Sequence, residues 1–209
     1  DSFMSKVPYS VSDLVSGAMA VLLAATAMYP ILAIPAKIRD RWSQQAPHTL
    51  DGMAYLPYVM QYEQGASIPL AADDQVIRWL QENVEGSPTI MEGQGEREYL
   101  WGGRISVYTG LPAVAAWRWH SVQQRLVMPA GTVEARQADI RYFYNGIDSQ
   151  QAMKVLDRYN VRYVILGPYE RAYMLPEGLP KFQTMVEQGW LEIVYQDEMS
   201  TIYKVVRIP

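Results

Sequence analysis

The stretch Asp148-Ser149-Gln150-Gln151-Ala152-Met153-Lys154-Val155-Leu156-Asp157-Arg158-Tyr159-Asn160-Val161-Arg162-Tyr163-Val164-Ile165-Leu166 sets the fold class. In its first half Ala152, Val155, Leu156 and Tyr159 fall on one stripe of a helix over Asp148 to Tyr159. Asp148 can cap that helix, and Gln151 is placed to close a capping box. The second half, Arg162 to Leu166, reads as a strand ended by Gly167-Pro168. A helix feeding a short buried strand is the grammar of an α/β protein.

The same grammar extends outward. Asp73 to Val84 carries Val76, Ile77, Leu80 and Val84 on one helical face, with Asp73 and Asp74 at its positive end. Gly86 and Pro88 stop it, and Thr89-Ile90-Met91-Glu92 reads as a short strand. Val133 to Tyr144 is a further helix, and Leu179 to Gln188 another, closed by Gly189. Leu191 to Tyr195 and Thr201 to Val206 flank a polar turn and predict a terminal hairpin. The expected fold is an α/β sandwich with a small mixed sheet and an antiparallel edge. Ala46 to Ala72, rich in Pro, Tyr, Gly and Gln without a clear period, reads as ordered linker.

From Leu14 to Ala36 the chain carries no charge. About 23 residues rising ~1.5 Å each span ~34 Å, enough for a ~30 Å hydrocarbon core. Leu14, Leu22, Leu23, Tyr29, Ile31 and Leu32 supply its apolar bulk. Small residues such as Ser16, Gly17, Ala20, Ala24 and Ala27 suit close packing on other transmembrane helices. Pro30 and Pro35 are expected to kink or end the helix. Lys37, Arg39, Arg41 and Trp42 follow as interfacial anchors, and by charge alone they favour a cytoplasmic C-terminal side. A buried core helix and a signal peptide are the competing readings. The predicted organisation is a flank at 1–13, a transmembrane helix at 14–36, a linker at 37–72 and an α/β domain at 73–209. Its expected partners are the lipid bilayer and other transmembrane helices.

Composition narrows the function classes. Hydrophobic residues make up 49% of the chain, enough for a packed core. The net charge of −4 argues against a nucleic-acid footprint, which needs a concentrated basic face. The absence of cysteine excludes disulfides and thiolate metal sites, and two histidines, His48 and His120, are too few for most zinc sites. The expectation is no metal and no cofactor. Phosphate-loop, His-Glu-x-x-His and Gly-x-Ser-x-Gly motifs are missing, and Gly93-Gln94-Gly95 reads as a turn.

One segment escapes periodicity. Gly102-Gly103-Arg104-Ile105-Ser106-Val107-Tyr108-Thr109-Gly110-Leu111-Pro112 is followed by Trp117-Arg118-Trp119-His120 and Arg125. It reads as poor helix and poor strand, yet too aromatic for a linker, and so as an ordered, loop-like platform. Glu92, Glu96, Arg97 and Glu98 precede it. Arginine forks onto carboxylate or phosphate, and indole faces stack on apolar ring faces, including a sugar's C–H face. Arg104, Tyr108, Trp117, His120 and Arg125 are therefore the candidate ligand-binding residues, with no catalytic residue assigned. The plainer reading pairs Arg104 with Glu92 or Asp139 and lets the tryptophans cap the core or touch lipid. Arg136 and Asp139, three apart on a helix, are expected to form a salt bridge. Asp51 and Glu92 are a conceivable carboxylate pair, and His120 with Glu92 an acid and base for a stand-alone hydrolase. Tyr163, Tyr169, Glu170 and Arg171 gather at or after a strand end, a common place for α/β sites.

Several motifs together resemble the C-terminal region of the YYY-type (DUF2298) integral-membrane proteins of bacteria and archaea. They are Thr49-Leu50-Asp51-Gly52 with Ala54-Tyr55, Ile77 to Leu80, Gly103-Arg104-Ile105-Ser106, and Tyr108-Thr109-Gly110-Leu111-Pro112. Trp117, His120, Arg125, Arg136, Asp139-Ile140, Tyr144, Tyr159 to Val164, Gly167, Glu170-Arg171 and Lys181-Phe182 continue the pattern, which covers residues 49 to 206. The resemblance implies a glycosyltransferase-like membrane protein using lipid-linked sugar donors, with its catalytic acid in an early loop that this chain does not contain. It implies that the soluble domain lies outside the cytoplasm, is non-catalytic alone, and contacts the membrane module or its lipid-linked sugar. The alternative is a single-helix accessory subunit of a larger respiratory or photosynthetic membrane complex.

Overall fold

The computed structural model describes residues 10–95, 98–125 and 128–206. It divides into two units, Asp1–His48 and Thr49–Pro209. Glu96 and Arg97, weighed above as part of the platform's approach, lie outside the described residues.

The first unit is built on helix α1, Val11–Arg41. A reciprocal cap fixes its start: Asp13 N–H donates to Ser10 Oγ, and Ser10 N–H donates to Asp13 Oδ2 at 2.9 Å. Of the two outcomes expected at Pro30 and Pro35, a kink or an end, the helix does not end at either and runs through both to Arg41. Each proline removes the amide donor to the carbonyl four residues back and crowds that carbonyl with its ring. No residue of α1 is buried within the described structure, and the helix is long and apolar enough to cross a membrane. It is a candidate membrane anchor.

The second unit is a mixed α/β fold. Its four-stranded sheet runs β3 (Thr89–Met91), β4 (Val161–Leu166), β6 (Thr201–Val205), β5 (Leu191–Gln196). β3 and β4 are parallel, with Ile90 opposite Tyr163 and Met91 opposite Val164. β6 is antiparallel to both β4 and β5. The alternation of β4 feeds two cores. Val164 and Leu166 enter one core with Phe143, Tyr144, Leu156, Phe182 and Tyr203; Ile165 enters the other with Ile77, Leu80, Ile105 and Ile202. Helices α5 (Thr132–Asn145), α6 (Ser149–Arg158) and α8 (Pro180–Glu187) cover the first face, and α2 (Leu70–Asn83) and α3 (Arg104–Thr109) the second. Asp148 caps α6 by accepting the amides of Gln150 and Gln151.

Two parts of the sequence reading change. The linker at 46–72 holds a hairpin, β1 (Met60–Glu63) and β2 (Ala66–Pro69), turned at Gln64-Gly65 with φ of 51° and 73°. Both turn residues are left-handed, the geometry a two-residue hairpin requires, but Gln-Gly is a weaker cue than Asn-Gly. The platform is not a loop throughout. It contains α3 and a second short helix, α4 (Arg118–Gln124). Gly103 (φ 79°) and Gly110 (φ 74°) bracket α3 in the left-handed region, so the glycines that argued against helix are its boundaries.

Phe182 tests the first core. It is buried, edge-on to Phe143 at 5.7 Å and stacked on Tyr203 at 5.4 Å. Phe182→Ala is expected to cost about 3–5 kcal/mol in urea unfolding of the full chain; a loss below about 1 kcal/mol would contradict this packing.

Candidate functional site

The parallel pairing of β3 and β4 brings their C-terminal ends to one edge of the sheet. Glu92 and Gly93 leave β3 there, and Gly167 and Glu170 leave β4. Gly93 and Gly167 donate backbone N–H to the two oxygens of Glu170, each at 2.9 Å. A Cβ on Gly93 would lie 3.1 Å from Glu170 Cγ, so glycine keeps this approach open. Glu170 opens α7 (Pro168–Tyr173), the short helix after β4.

Arg104, first residue of α3, fills the centre of this edge. Its guanidinium forks onto Glu170, with Nη1–Oε1 and Nη2–Oε2 both 3.0 Å. Its Nε lies 2.9 Å from Asp73 Oδ1 in the first turns of α2, off the N–H axis, so this is a charge contact rather than a hydrogen bond. Glu92 stands 3.8 Å from Nη1 and spends its oxygens on the amides of Ile105 and Ser106 at 2.9 and 3.0 Å. The Tyr169 ring lies under the guanidinium at 4.5 Å. All four charged residues are at most 2% exposed.

One guanidinium thus serves three buried carboxylates. Burial pushes the Glu170 carboxyl up, but Arg104 and the two glycine amides outweigh it and hold it below the ordinary glutamate value. Burial raises Asp73 and Glu92, and Arg104 opposes that shift in both without reversing it. Asp73 also accepts the Trp101 indole N–H at 2.5 Å, and Glu63 accepts the Trp101 amide at 3.2 Å, so the cluster pins the loop entering α3.

Beside this cluster lies a groove of about 360 Å³. Gln61 of β1, the loop Tyr99 to Gly102, Val107 and Tyr108 of α3, and Trp117 line it, with Arg104 in its wall. Its aromatic rings form two sets. Trp101 tilts against Tyr108 at 5.9 Å, while Tyr99 packs on Trp117 at 5.1 Å and edge-on to His120 at 6.2 Å. Tyr108 and Tyr55 share a hydrogen bond between hydroxyls at 2.9 Å. Tyr99 holds a left-handed φ of 57° with its side chain 58% exposed, which keeps its ring in the groove wall at some backbone cost.

The structure brings Tyr108, Trp117 and the side of Arg104 to one groove and sets His120 at the edge of its aromatic set. Arg125 is elsewhere, in a separate cleft with Arg136, Ser106 and Thr132. The Arg136–Asp139 salt bridge expected from spacing is not the pairing Asp139 makes: its Oδ2 takes Arg158 and the Tyr159 hydroxyl, both at 2.6 Å. The Asp51–Glu92 pair also gives way, because Asp51 is exposed and accepts Met53 N–H in its own turn. Arg104 pairs neither with Asp139 nor mainly with Glu92; Glu170 and Asp73 take it. The sequence pointed to Glu170 through its place after a strand. Asp73 read only as a helix-dipole residue, and Tyr99, Trp101 and Gln61 gave no separate signal.

No family model matches the chain, and no curated protein sequence matches it. Among solved structures, two crystal structures of the C-terminal globular domain of oligosaccharyltransferase from Archaeoglobus fulgidus are similar. One superposes with a TM-score of 0.40 and 15% identity, covering 63% of this chain and 95% of that domain. The other gives a TM-score of 0.32 and 13% identity, covering 63% and 93%. Overlaps this loose identify neither a family nor an activity, and the functional reading below rests on the chain's own residues.

Two outcomes test the cluster. Arg104→Ala leaves three buried carboxylates without their cation and is expected to cost about 3–5 kcal/mol in urea unfolding; a fully stable variant would contradict the frame described here. The second is a pH signature. A carboxyl with a raised folded pKa binds its proton more tightly in the folded state. The stability it adds is complete below its unfolded pKa and is lost as pH rises through its folded pKa. The destabilisation caused by Glu92→Gln should therefore shrink as pH rises from about 4 toward neutrality. A cost that stays constant or grows over that range would contradict the raised Glu92 value.

Proposed function

We propose that this chain is the anchored, extracytoplasmic C-terminal part of a YYY-type, glycosyltransferase-like membrane protein. It is non-catalytic alone, and its aromatic groove receives the glycosyl part of a lipid-linked sugar. The groove carries this reading: Tyr99, Trp101, Tyr108 and Trp117 line one cavity with Gln61, a combination of aromatic and polar side chains that suits a sugar ring. The state of the nearby carboxylates supports binding over catalysis, since Glu92 and Glu170 are committed to backbone amides and Arg104. The motif resemblance supplies the family and the side of the membrane.

The apolar helix supports the anchor. Gly17, Ala20, Ala24 and Ala27 recur at intervals of three and four and so share one face of α1. Such a face fits the close approach of another transmembrane helix. Lys37, Arg39, Arg41 and Trp42 stand at the helix end as interfacial residues.

Saturation-transfer NMR on the full chain in nonionic micelles, with a polyprenyl-phosphate-linked hexose, tests the groove. The sugar protons should receive saturation. Tyr99→Ala and Trp117→Ala should each weaken binding several-fold, in line with ~0.5–1.5 kcal/mol for an aromatic contact. Equal transfer in wild type and variants, or none in the wild type, would contradict the glycan reading.

A further inference from the structure

A second cleft, of about 250 Å³, lies on the other side of α3 from the aromatic groove; its lining is mostly apolar, from Leu111 to Ala116 with Met128 and Val133, and Ser106, Ser121, Arg125, Thr132 and Arg136 supply its polar groups. Among the described residues its two arginines have no acidic partner. Asp139, the neighbour expected to neutralise Arg136, is held by Arg158 and Tyr159. Arg136 donates one N–H to the Val114 carbonyl at 3.1 Å, and its guanidinium lies 5.4 Å from the Tyr159 ring centre. Arg125 is exposed, with Nη1 3.9 Å from Met128 Sδ, a weak acceptor. Among the described residues neither arginine has a carboxylate within ion-pair distance. Arg125 and Thr132 also line an adjoining cleft with Glu134, whose carboxylate is paired with Arg118 at 2.7 Å.

Each guanidinium has five N–H donors in a planar fork, and only a few of the ten are used among the described residues. The chain as a whole is negative, so two cations lining one cleft without a paired carboxylate among the described residues are a local exception. The hydroxyl protons of Ser106 and Thr132 are committed to backbone carbonyls, of Gly103 at 2.9 Å and Pro129 at 2.6 Å, so the donors these elements leave for a ligand are the guanidinium N–H groups. Ser121 adds a third hydroxyl. Two forked cationic donors lining one cleft are the chemistry of an oxyanion with several oxygens.

We propose that the cleft between α3, α4 and α5 is a binding site for a phosphoryl group, gripped by Arg125 and Arg136. The phosphoryl group comes either from a soluble phosphate or from the head of a polyprenyl phosphate in the membrane. The site uses none of the groove's aromatic residues and stands independently of the glycan reading.

Isothermal titration calorimetry on the full chain in nonionic micelles tests it, with three probes: inorganic phosphate, inorganic pyrophosphate, and polyprenyl phosphate carried in the micelle, with neutral polyprenol as the control lipid. At least one phosphate probe should bind, more weakly as salt is raised. Binding of the soluble probes identifies a soluble ligand; binding of polyprenyl phosphate over polyprenol identifies a lipid headgroup. Arg125→Ala should weaken the effective probe about tenfold, the worth of one charge-assisted contact. Arg136→Lys, which keeps the charge and removes the fork, should weaken it too. Arg118→Ala, whose guanidinium is exposed and paired with Glu134, should not. Tyr99→Ala should leave phosphate binding intact, so failure of the groove and failure of this cleft give different patterns. Absence of binding to all three phosphate probes, or unchanged binding in both Arg125→Ala and Arg136→Lys, would overturn the proposal.

Discussion

The second unit, Thr49–Pro209, depends on one guanidinium placed among three buried carboxylates. Arg104 ties together α2 through Asp73, the end of β3 through Glu92, the end of β4 through Glu170, and its own helix α3. Glu92 anchors the start of α3 by its amides, and Glu170 is gripped by the glycines that follow both strands. A buried charge left unpaired is far costlier than a lost surface contact, so these elements cannot shift independently. Desolvation and charge pairing oppose each other here, and the outcome differs by residue. Glu170 gains enough donors to hold its charge, while burial wins at Asp73 and Glu92.

This frame explains why α3 has a role beyond packing. Short and set between two left-handed glycines, it presents Val107 and Tyr108 to the aromatic groove and Ser106 to the arginine cleft. The two cavities differ in their polar groups: four aromatic residues line the groove, while the mostly apolar cleft carries two arginines with no paired carboxylate among the described residues. Arg104 itself belongs to the frame. Its charge is consumed internally, and it contributes to the groove as wall rather than as a free cation.

Much of the fold was legible because periodicity reports burial directly. The stripe Ala152, Val155, Leu156 and the run ending at Leu166 became α6 and β4, packed as their patterns require. The terminal hairpin and α8, closed by left-handed Gly189, were equally plain. Legibility ended where tertiary contacts override local propensity. Gly103 and Gly110 looked like helix breakers and act as helix boundaries, and Gln64-Gly65 gave too weak a turn signal to reveal β1 and β2. At the site, Arg104 and Glu170 each stood out, but their meeting depends on the parallel β3–β4 pairing, which no local pattern encodes. Arg136 illustrates the same limit: spacing offered Asp139, whereas the fold gives that carboxylate to Arg158 from the next helix.

A structure of the full chain in micelles with a polyprenyl-phosphate-linked hexose bound tests this division of labour most directly. The account predicts the sugar ring in the groove against Tyr99 and Trp117, with Arg104 still forked onto Glu170. A sugar bound elsewhere, or Arg104 withdrawn from Glu170 to contact the ligand, would contradict it.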